Sequence, residues 1–112
     1  MEELNILIID GVIASPYVLI ELEEEKYTGR FTIETKRLYK NRLGNTEIES
    51  CFFTIELYGY SAKQLADKII KGRGLRVVGR LKQENSRVFI VGENFEFKVI
   101  RYKGECGQEE LC

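Results

Sequence analysis

The sequence predicts an all-β protein, a five-stranded barrel with one short helix between its third and fourth strands. Three observations lead to this prediction. Segments rich in β-branched and aromatic residues make up most of the chain, one helical pattern lies at residues 61–72, and two further strand-like segments follow it. The chain has 112 residues, which is room for a single domain with one modest core.

The first strand is expected at residues 4–13, which are largely apolar and rich in β-branched side chains. Pro16 should end this strand or lie at a sheet edge, because proline cannot donate a hydrogen bond to a neighbouring strand. Residues 17–22 form a second extended piece that leads into an acidic loop. Three or four strands therefore precede the helix, depending on whether these two pieces are separate.

The next two strands are expected to form a hairpin. Residues 30–35 alternate between apolar and polar side chains, which is the pattern of a strand with one buried face. Gly44-Asn45 marks a long connection, and residues 48–58 return as the second strand. In this second strand, Phe53, Ile55 and Leu57 share one parity and are expected to face the core.

A helix and a second hairpin complete the pattern. Ser61 is suited to the N-cap of a helix, apolar residues recur at helical spacing after it, and Gly72 is a natural stop. Residues 75–83 and 87–97 then form two strands joined by a tight turn at residues 84–86. This order of elements is typical of the oligonucleotide-binding (OB) fold.

The ends of the chain and its cysteines indicate a single cytoplasmic domain. We assign residues 1–103 to the OB-fold domain and residues 104–112 to a short polar tail. The three cysteines, Cys51, Cys106 and Cys112, form no C-x-x-C pair and suit a reducing compartment. The N-terminal residues are unlike a signal peptide, and no apolar stretch is long enough to cross a bilayer.

Histidine is absent from the sequence. Its absence removes the Ser-His-Asp and Cys-His nucleophile arrangements, the usual zinc ligand sets and the commonest general base. Carboxylates or lysines could in principle catalyse a reaction, but no motif calls for one. We therefore expect no enzymatic activity, no metal and no other cofactor.

Basic residues are concentrated in two segments that contain no acid. Residues 36–42 and 71–82 together carry nine of the 17 basic side chains, although the formal net charge of the chain is -1. A run of charge is often only a solvated surface, but two such runs can line a site for a polyanion. The charge pattern therefore favours a nucleic-acid partner.

The polar faces of two strands point to the same partner. Phe52 and Tyr58 lie on the parity opposite the expected core residues, so two aromatic rings face outward. On the strand at residues 75–82, Arg76, Arg80 and Lys82 face outward. Proteins that bind single strands stack bases on aromatic rings and follow phosphates with cations. The alternative is that each ring packs under a loop or against a second subunit.

The sequence that contains these aromatic and basic residues resembles the bacterial single-stranded DNA-binding proteins over about residues 4–98. The resemblance rests on LNILIIDGVIASP, FTIETKRLYK, FFTIELYGYSAKQLADKIIKG, LRVVGRLK and VGENFEFK, which follow in family order. It implies an OB fold, a homotetramer and a nucleoid-associated role in DNA replication, repair and recombination. It also implies stacking aromatics at Tyr39, Phe52 and Tyr58.

Combining the resemblance with the basic segments gives one set of candidate nucleic-acid-binding residues. These are Lys36, Arg37, Tyr39, Lys40, Arg42, Phe52, Tyr58, Arg73, Arg76, Arg80 and Lys82.

Two features depart from the family pattern. The turn between the last two strands is short and carries no aromatic, so one stacking position is expected to be absent. The chain ends GECGQEELC, which is acidic but lacks the phenylalanine-terminated tip that recruits replication and repair proteins. Two other functions stay open: an accessory OB protein of the primosome type that bridges replication partners, and an RNA-binding domain of the cold-shock type.

The first strand also predicts self-association. In residues 4–9, apolar side chains occupy both parities, so both faces of the strand are expected to be covered. One face can pack into the barrel. The other needs either a second subunit, which we favour as part of a homotetramer, or the C-terminal segment with Val99, Ile100 and Tyr102 folded over it.

Overall fold

The computed structural model describes residues 2–99 of the chain. Within that range, six strands and one short helix follow in the order β1 (Leu7–Ile13), β2 (Val18–Glu23), β3 (Lys26–Lys40), β4 (Thr46–Tyr58), α1 (Tyr60–Gln64), β5 (Gly74–Glu84) and β6 (Arg87–Phe97). No helix among these residues has the length and apolar character needed to span a membrane.

The strands close into a five-stranded barrel. The sheet order is β1-β5-β6-β4-β3-β2, and β1 closes the barrel by pairing with β3 at Val12↔Glu34 and Ile13↔Ile33. All pairings are antiparallel except that between β4 and β6. The predicted all-β barrel with one helix between its third and fourth main strands is confirmed.

Strands β1 and β2 are two parts of the first barrel strand. The break between them falls at residues 14–17 around Pro16, and both parts pair with β3. Tyr17 then anchors the helix, because its hydroxyl donates a 2.6 Å hydrogen bond to the carbonyl oxygen of Ala62. Burial raises the pKa of Tyr17 to about 12. Its ring occupies the space that a Cβ at Gly29 would fill, so glycine is required there.

The barrel interior follows from strand parity. Ile55 and Leu57 are fully buried, as the alternation in β4 predicts, and they pack with Phe31, Ile33 and Val77. Phe53 shares their parity but is 39 % exposed, so its predicted place in the core is wrong. It pairs with Ile33 at the point where β3 and β4 begin to extend beyond the barrel.

The β3–β4 hairpin is longer in its strands and shorter in its turn than the sequence suggests. The strands pair without interruption from Thr28↔Tyr58 to Lys40↔Thr46, and only residues 41–45 connect them. Gly44 adopts a positive φ of 85° in this turn. The predicted long connection is therefore replaced by a projecting two-stranded arm, formed by residues 34–40 and 46–52.

The helix is shorter than its sequence pattern. It begins after Gly59, whose φ is 85°, so Ser61 lies inside the first turn and is not the N-cap. Beyond Gln64 the chain continues in turns, and the backbone bonds to strand β1: Gly72 N–H donates to Ile13 O, and Ile13 N–H donates to Arg73 O. Pairing with β1 thus replaces the last two predicted helical turns, although Ile69 still reaches the core.

The second hairpin has the predicted tight turn. Strands β5 and β6 are separated only by Asn85 and Ser86, both with positive φ. The short turn that the sequence predicts is therefore present in the fold. The boundary at residue 103, the tail at residues 104–112, Ile100, Tyr102, Cys106 and Cys112 lie outside the described residues.

Candidate nucleic-acid interface

One surface of the barrel combines an exposed tyrosine with cations. Tyr58, at the end of β4, lies beneath Lys82 of β5, whose Nζ is 5.3 Å from the ring centroid. Such a contact between a cation and a ring leaves part of the ring free while it holds positive charge beside it. Tyr58 is 39 % exposed. The exposed part of the ring is therefore available to a ligand, with positive charge held beside it.

Glu56 organises this surface from below. The carboxylate is 4 % exposed and accepts hydrogen bonds from the Tyr58 hydroxyl (2.9 Å, Oε1) and from Arg30 Nε (3.1 Å, Oε2). Arg87 NH2 lies 3.5 Å from Oε2, and its guanidinium group covers the ring of Phe89 at 4.7 Å. Two half-exposed arginines and one tyrosine are thus fixed by a single buried carboxylate.

The ionisation of Tyr58 reflects this environment. Burial is the main cause that raises its pKa to about 12, and the hydrogen bond to Glu56 adds to the effect. The phenol is therefore protonated at neutral pH and acts as a neutral ring with a fixed orientation. Such a ring is suited to stacking with a base.

The outward cations of β5 are paired with acids. Arg76 forms a bidentate ion pair with Asp10 (2.7 and 3.0 Å), which raises the pKa of Arg76 and lowers that of Asp10. Arg80 pairs with Glu93 at 3.1 Å, and Lys82 pairs with Glu84 at 3.1 Å. The acid-free basic segment at residues 71–82 is therefore partly neutralised by acids from elsewhere in the chain.

The projecting arm has two chemically different faces, set by strand parity. The first, which we call the lysine face, shares the parity of Phe52 and Tyr58. Phe52 is 60 % exposed on it, and the cross-strand pair Leu38↔Ile48 is 66 % and 63 % exposed. Lys36 and Lys40 lie on the same parity and form no ion pair with any residue between 2 and 99.

The second side, which we call the ion-paired face, carries Arg37 and Tyr39. Arg37 Nε bonds Glu49 Oε1 at 3.0 Å, and its guanidinium group lies 5.3 Å from the Tyr39 ring centroid. The Tyr39 hydroxyl donates to Glu47 at 2.9 Å, which is the main cause of the raised pKa of Tyr39. Asn41 Nδ2 donates to the same carboxylate, and these two bonds lower the pKa of Glu47.

The two remaining candidate residues lie apart from these surfaces. Arg42 is exposed in the turn of the arm. Arg73 donates to two backbone carbonyls, from Nε to Lys98 O (2.8 Å) and from NH1 to Lys68 O (3.2 Å), and it also covers the ring of Phe97. Arg73 therefore ties the end of β6 to the segment after the helix.

The structure thus divides the candidate residues into groups. Tyr58, Arg80 and Lys82 lie on one barrel surface, and Phe52 continues the Tyr58 side of β4 onto the lysine face. Arg37 and Tyr39 are on the opposite parity. Sequence reasoning missed a group whose members surround Tyr58: Arg30, Glu56, Arg87 and Phe89. The parity of Glu56 was a usable signal, because a carboxylate between two outward aromatics calls for a cationic partner.

Comparison with known proteins gives a consistent result. Residues 4–97 match the model of the family described as the single-strand binding protein family. A single-stranded DNA-binding protein from Aquifex aeolicus is 34 % identical over 99 residues, which cover 81 % of this chain and 67 % of that protein.

Solved structures share the fold at lower identity. The Plasmodium falciparum SSB in complex with ssDNA superposes with a TM-score of 0.76 at 18 % identity, covering 88 % of this chain and 98 % of that one. A small single-stranded DNA-binding protein from Streptomyces coelicolor gives a TM-score of 0.66 at 20 % identity, covering 88 % and 96 %. These likenesses confirm the OB fold.

Proposed function

Because this chain belongs to the single-strand binding protein family, we propose that it binds single-stranded DNA without sequence specificity. In this role it coats strands exposed during replication, repair and recombination, and it acts in the cytoplasm beside the chromosome. It binds and protects DNA and has no catalytic role. The proposal rests on the family together with a surface that carries two exposed aromatic rings and, on neighbouring strands, basic side chains.

The observation that carries the proposal is the shared outward parity of Phe52 and Tyr58 on β4, with Lys82 against the Tyr58 ring. Stacking on such rings contributes roughly 1–3 kcal/mol per base and tolerates any base. The lysine face continues this surface outward with Lys36 and Lys40. A strand can therefore stack its bases along β4 while its phosphates meet the cations beside it.

Titration with matched nucleic acids tests the proposal. The chain has six tyrosines and no tryptophan, so quenching of tyrosine fluorescence reports binding directly. We expect tight binding of single-stranded DNA, weak binding of a duplex and a strong dependence on salt. Preference for the RNA of the same sequence would favour the cold-shock type of function. Binding that is weak for all three and insensitive to salt would favour the primosome-type accessory protein that bridges partners.

We also propose that the protein works as a homo-oligomer, with a tetramer preferred. The outward side of the chain is apolar and open where β1 begins: Ile6, just before the strand, and Ile8, within it, are 63 % and 64 % exposed. Asp10 follows on the same parity and is paired with Arg76, so the apolar patch is confined to this end. An uncovered apolar strand of this kind favours association. The alternative cover begins with Val99, which is itself exposed. A second copy placed on β1 supplies the missing cover.

Light scattering at micromolar concentration tests the assembly. A mass of a multiple of 13.0 kDa, reduced by Ile8→Glu, supports pairing through β1. A 13.0 kDa species for the unmodified protein would contradict it. Recruitment of replication and repair proteins is a separate proposal. A pull-down with and without residues 104–112 addresses it.

A further inference from the structure

A second basic site lies where the barrel closes. An open groove of about 780 Å³ separates the end of β1 and the base of the arm from the segment that follows the helix. Its lining includes the basic residues Lys36, Lys71, Arg73 and Lys98 and the acidic residues Asp10 and Glu34. The groove therefore has an excess of positive charge.

The cations of the groove are more available than those of β5. Asp10 is already bound by Arg76 through two hydrogen bonds, and Arg73 is engaged with backbone carbonyls. Lys71 and Lys98 form no ion pair with any residue in the described part of the chain. These two ammonium groups can therefore bind an anion without first breaking an ion pair.

The groove is continuous with the proposed DNA surface. Glu34 lies opposite Phe52 in the β3–β4 pairing and opposite Val12 in the β1–β3 pairing, so it stands between the two surfaces. Lys36 follows it on the same parity and belongs both to the lysine face and to the groove lining. A strand that leaves Phe52 can pass Lys36 and enter the groove without crossing the barrel.

We propose that this groove is a second binding site for the backbone of the same DNA strand, with Lys71 and Lys98 as its phosphate ligands. The inference rests on the proposed function. Val12 and Ile70 are partly exposed in the lining and offer apolar contacts to sugars or bases. The excess of basic side chains in the lining indicates a polyanion as the ligand. Because Lys36 belongs both to this lining and to the lysine face, we infer that the polyanion is the DNA strand that is bound at Phe52.

Oligonucleotide length separates the two sites. A strand of about 8 nucleotides occupies the surface at Phe52 and Tyr58, whereas one of about 30 reaches beyond a single OB-fold site. We expect Lys71→Gln with Lys98→Gln to leave the short strand's affinity unchanged. The long strand should bind about three- to tenfold more weakly, as expected when two exposed charge contacts are lost. For the long strand, the slope of log affinity against log salt should become shallower by about 1.4, because each of the two lost phosphate contacts contributes roughly 0.7 to that slope.

Two controls make the result specific. Lys26→Gln with Lys63→Gln removes the same charge from residues that do not line the groove, and it should change neither affinity. Lys71→Arg with Lys98→Arg keeps the charge and should restore binding of the long strand. An equal loss for both lengths, or no loss for the long strand, would overturn the groove proposal. Failure of the unmodified protein to bind the short strand would instead overturn the proposed function itself.

Discussion

The two faces of the projecting arm are built from the same two strands, yet they differ in how their charges are used. On the ion-paired face, Arg37 is bound by Glu49, and Tyr39 is bound by Glu47. On the lysine face, Lys36 and Lys40 flank exposed apolar side chains, and the acid on this side of the arm, Glu34, lies at its base opposite Phe52. Among the described residues of the arm's two strands, only the lysine face therefore offers basic side chains that form no ion pair.

The difference shows that position on a strand decides the role of a residue more than its type. Tyr39 and Phe52 are both aromatic and both lie on the arm, but Tyr39 is 38 % exposed with its hydroxyl engaged, and Phe52 is 60 % exposed. The basic residues divide in the same way. Family resemblance groups Tyr39 with Phe52, whereas the geometry favours Phe52 as the base-stacking residue.

The largest expected effect comes from replacing Phe52, and the same replacement at Tyr39 is its matched comparison. Phe52→Ala should weaken binding of single-stranded DNA by roughly 1–3 kcal/mol, because it removes a stacking surface. Tyr39→Ala, the matched change on the ion-paired face, should reduce the affinity for single-stranded DNA by clearly less than Phe52→Ala does. Fluorescence titration of both variants measures the difference. Equal losses would mean that the strand contacts both faces of the arm, and the distinction would fail.

A smaller effect is expected from the carboxylate that orients Tyr58. Glu56→Gln weakens the bonds to Arg30 and Arg87 and should reduce DNA affinity by about 1 kcal/mol, a typical value for a hydrogen-bonded contact. The pKa of Tyr58 should fall below about 12, because one cause of its elevation is removed. Absorbance titration of tyrosinate reports this directly.

Tyr58→Phe is the control for that experiment, because it keeps the ring and loses only the hydroxyl. We expect it to retain most of the affinity. If Glu56→Gln bound normally while the pKa of Tyr58 fell, Glu56 would support the fold and would not position the binding surface.

The lysines of the arm should have a more modest effect that is visible mainly in the salt dependence. Lys36→Gln and Lys40→Gln should each make the slope of log affinity against log salt shallower by about 0.7, the value for one phosphate contact on a single strand. Arg37→Gln should leave the slope unchanged, since Arg37 already pairs with Glu49. A larger change for Arg37 than for the lysines would reverse the assignment of the two faces.

The smallest expected effect is on stability at high pH. The pKa values of Tyr17 and Tyr58 are raised from 10.0 to about 12 in the folded protein, so folding favours the protonated phenols. Their contribution is complete below pH 10 and is lost as the pH rises through about 12. Urea unfolding at increasing pH should show this loss, and Tyr17→Phe should reduce it. A free energy of unfolding that is constant across this range would contradict it.

Much of the fold followed from local patterns. Alternation in β4 correctly placed Ile55 and Leu57 inside and Phe52 and Tyr58 outside, since neighbouring strands cover the barrel section of β4. The same alternation failed for Phe53, because parity describes direction and cannot say where the barrel ends. The helix predicted beyond Gln64 is absent for a related reason. Gly72 and Arg73 form backbone hydrogen bonds with Ile13 of β1, and the spacing of apolar residues along the sequence cannot predict a partner so distant in the chain.

The candidate site was harder to predict than the fold, because its electrostatics depend on distant pairs. Arg76 and Asp10 are 66 residues apart in sequence, and Arg80 meets Glu93 across a hairpin with a bulge. Counting charges along the chain identified the basic segments but could not show which of them are neutralised. Only the pairing of strands shows that Lys36 and Lys40 keep their charge unpaired while Arg37 does not.

Photocrosslinking tests the central claim most directly, namely that a single strand lies along Tyr58, Phe52 and the lysine face. A single-stranded oligonucleotide with halogenated uracil is irradiated in complex with the protein, and the adducts are mapped by mass spectrometry. The account predicts adducts at Phe52 and Tyr58 and none at Tyr39. A principal adduct at Tyr39, with Phe52 and Tyr58 unmodified, would contradict it.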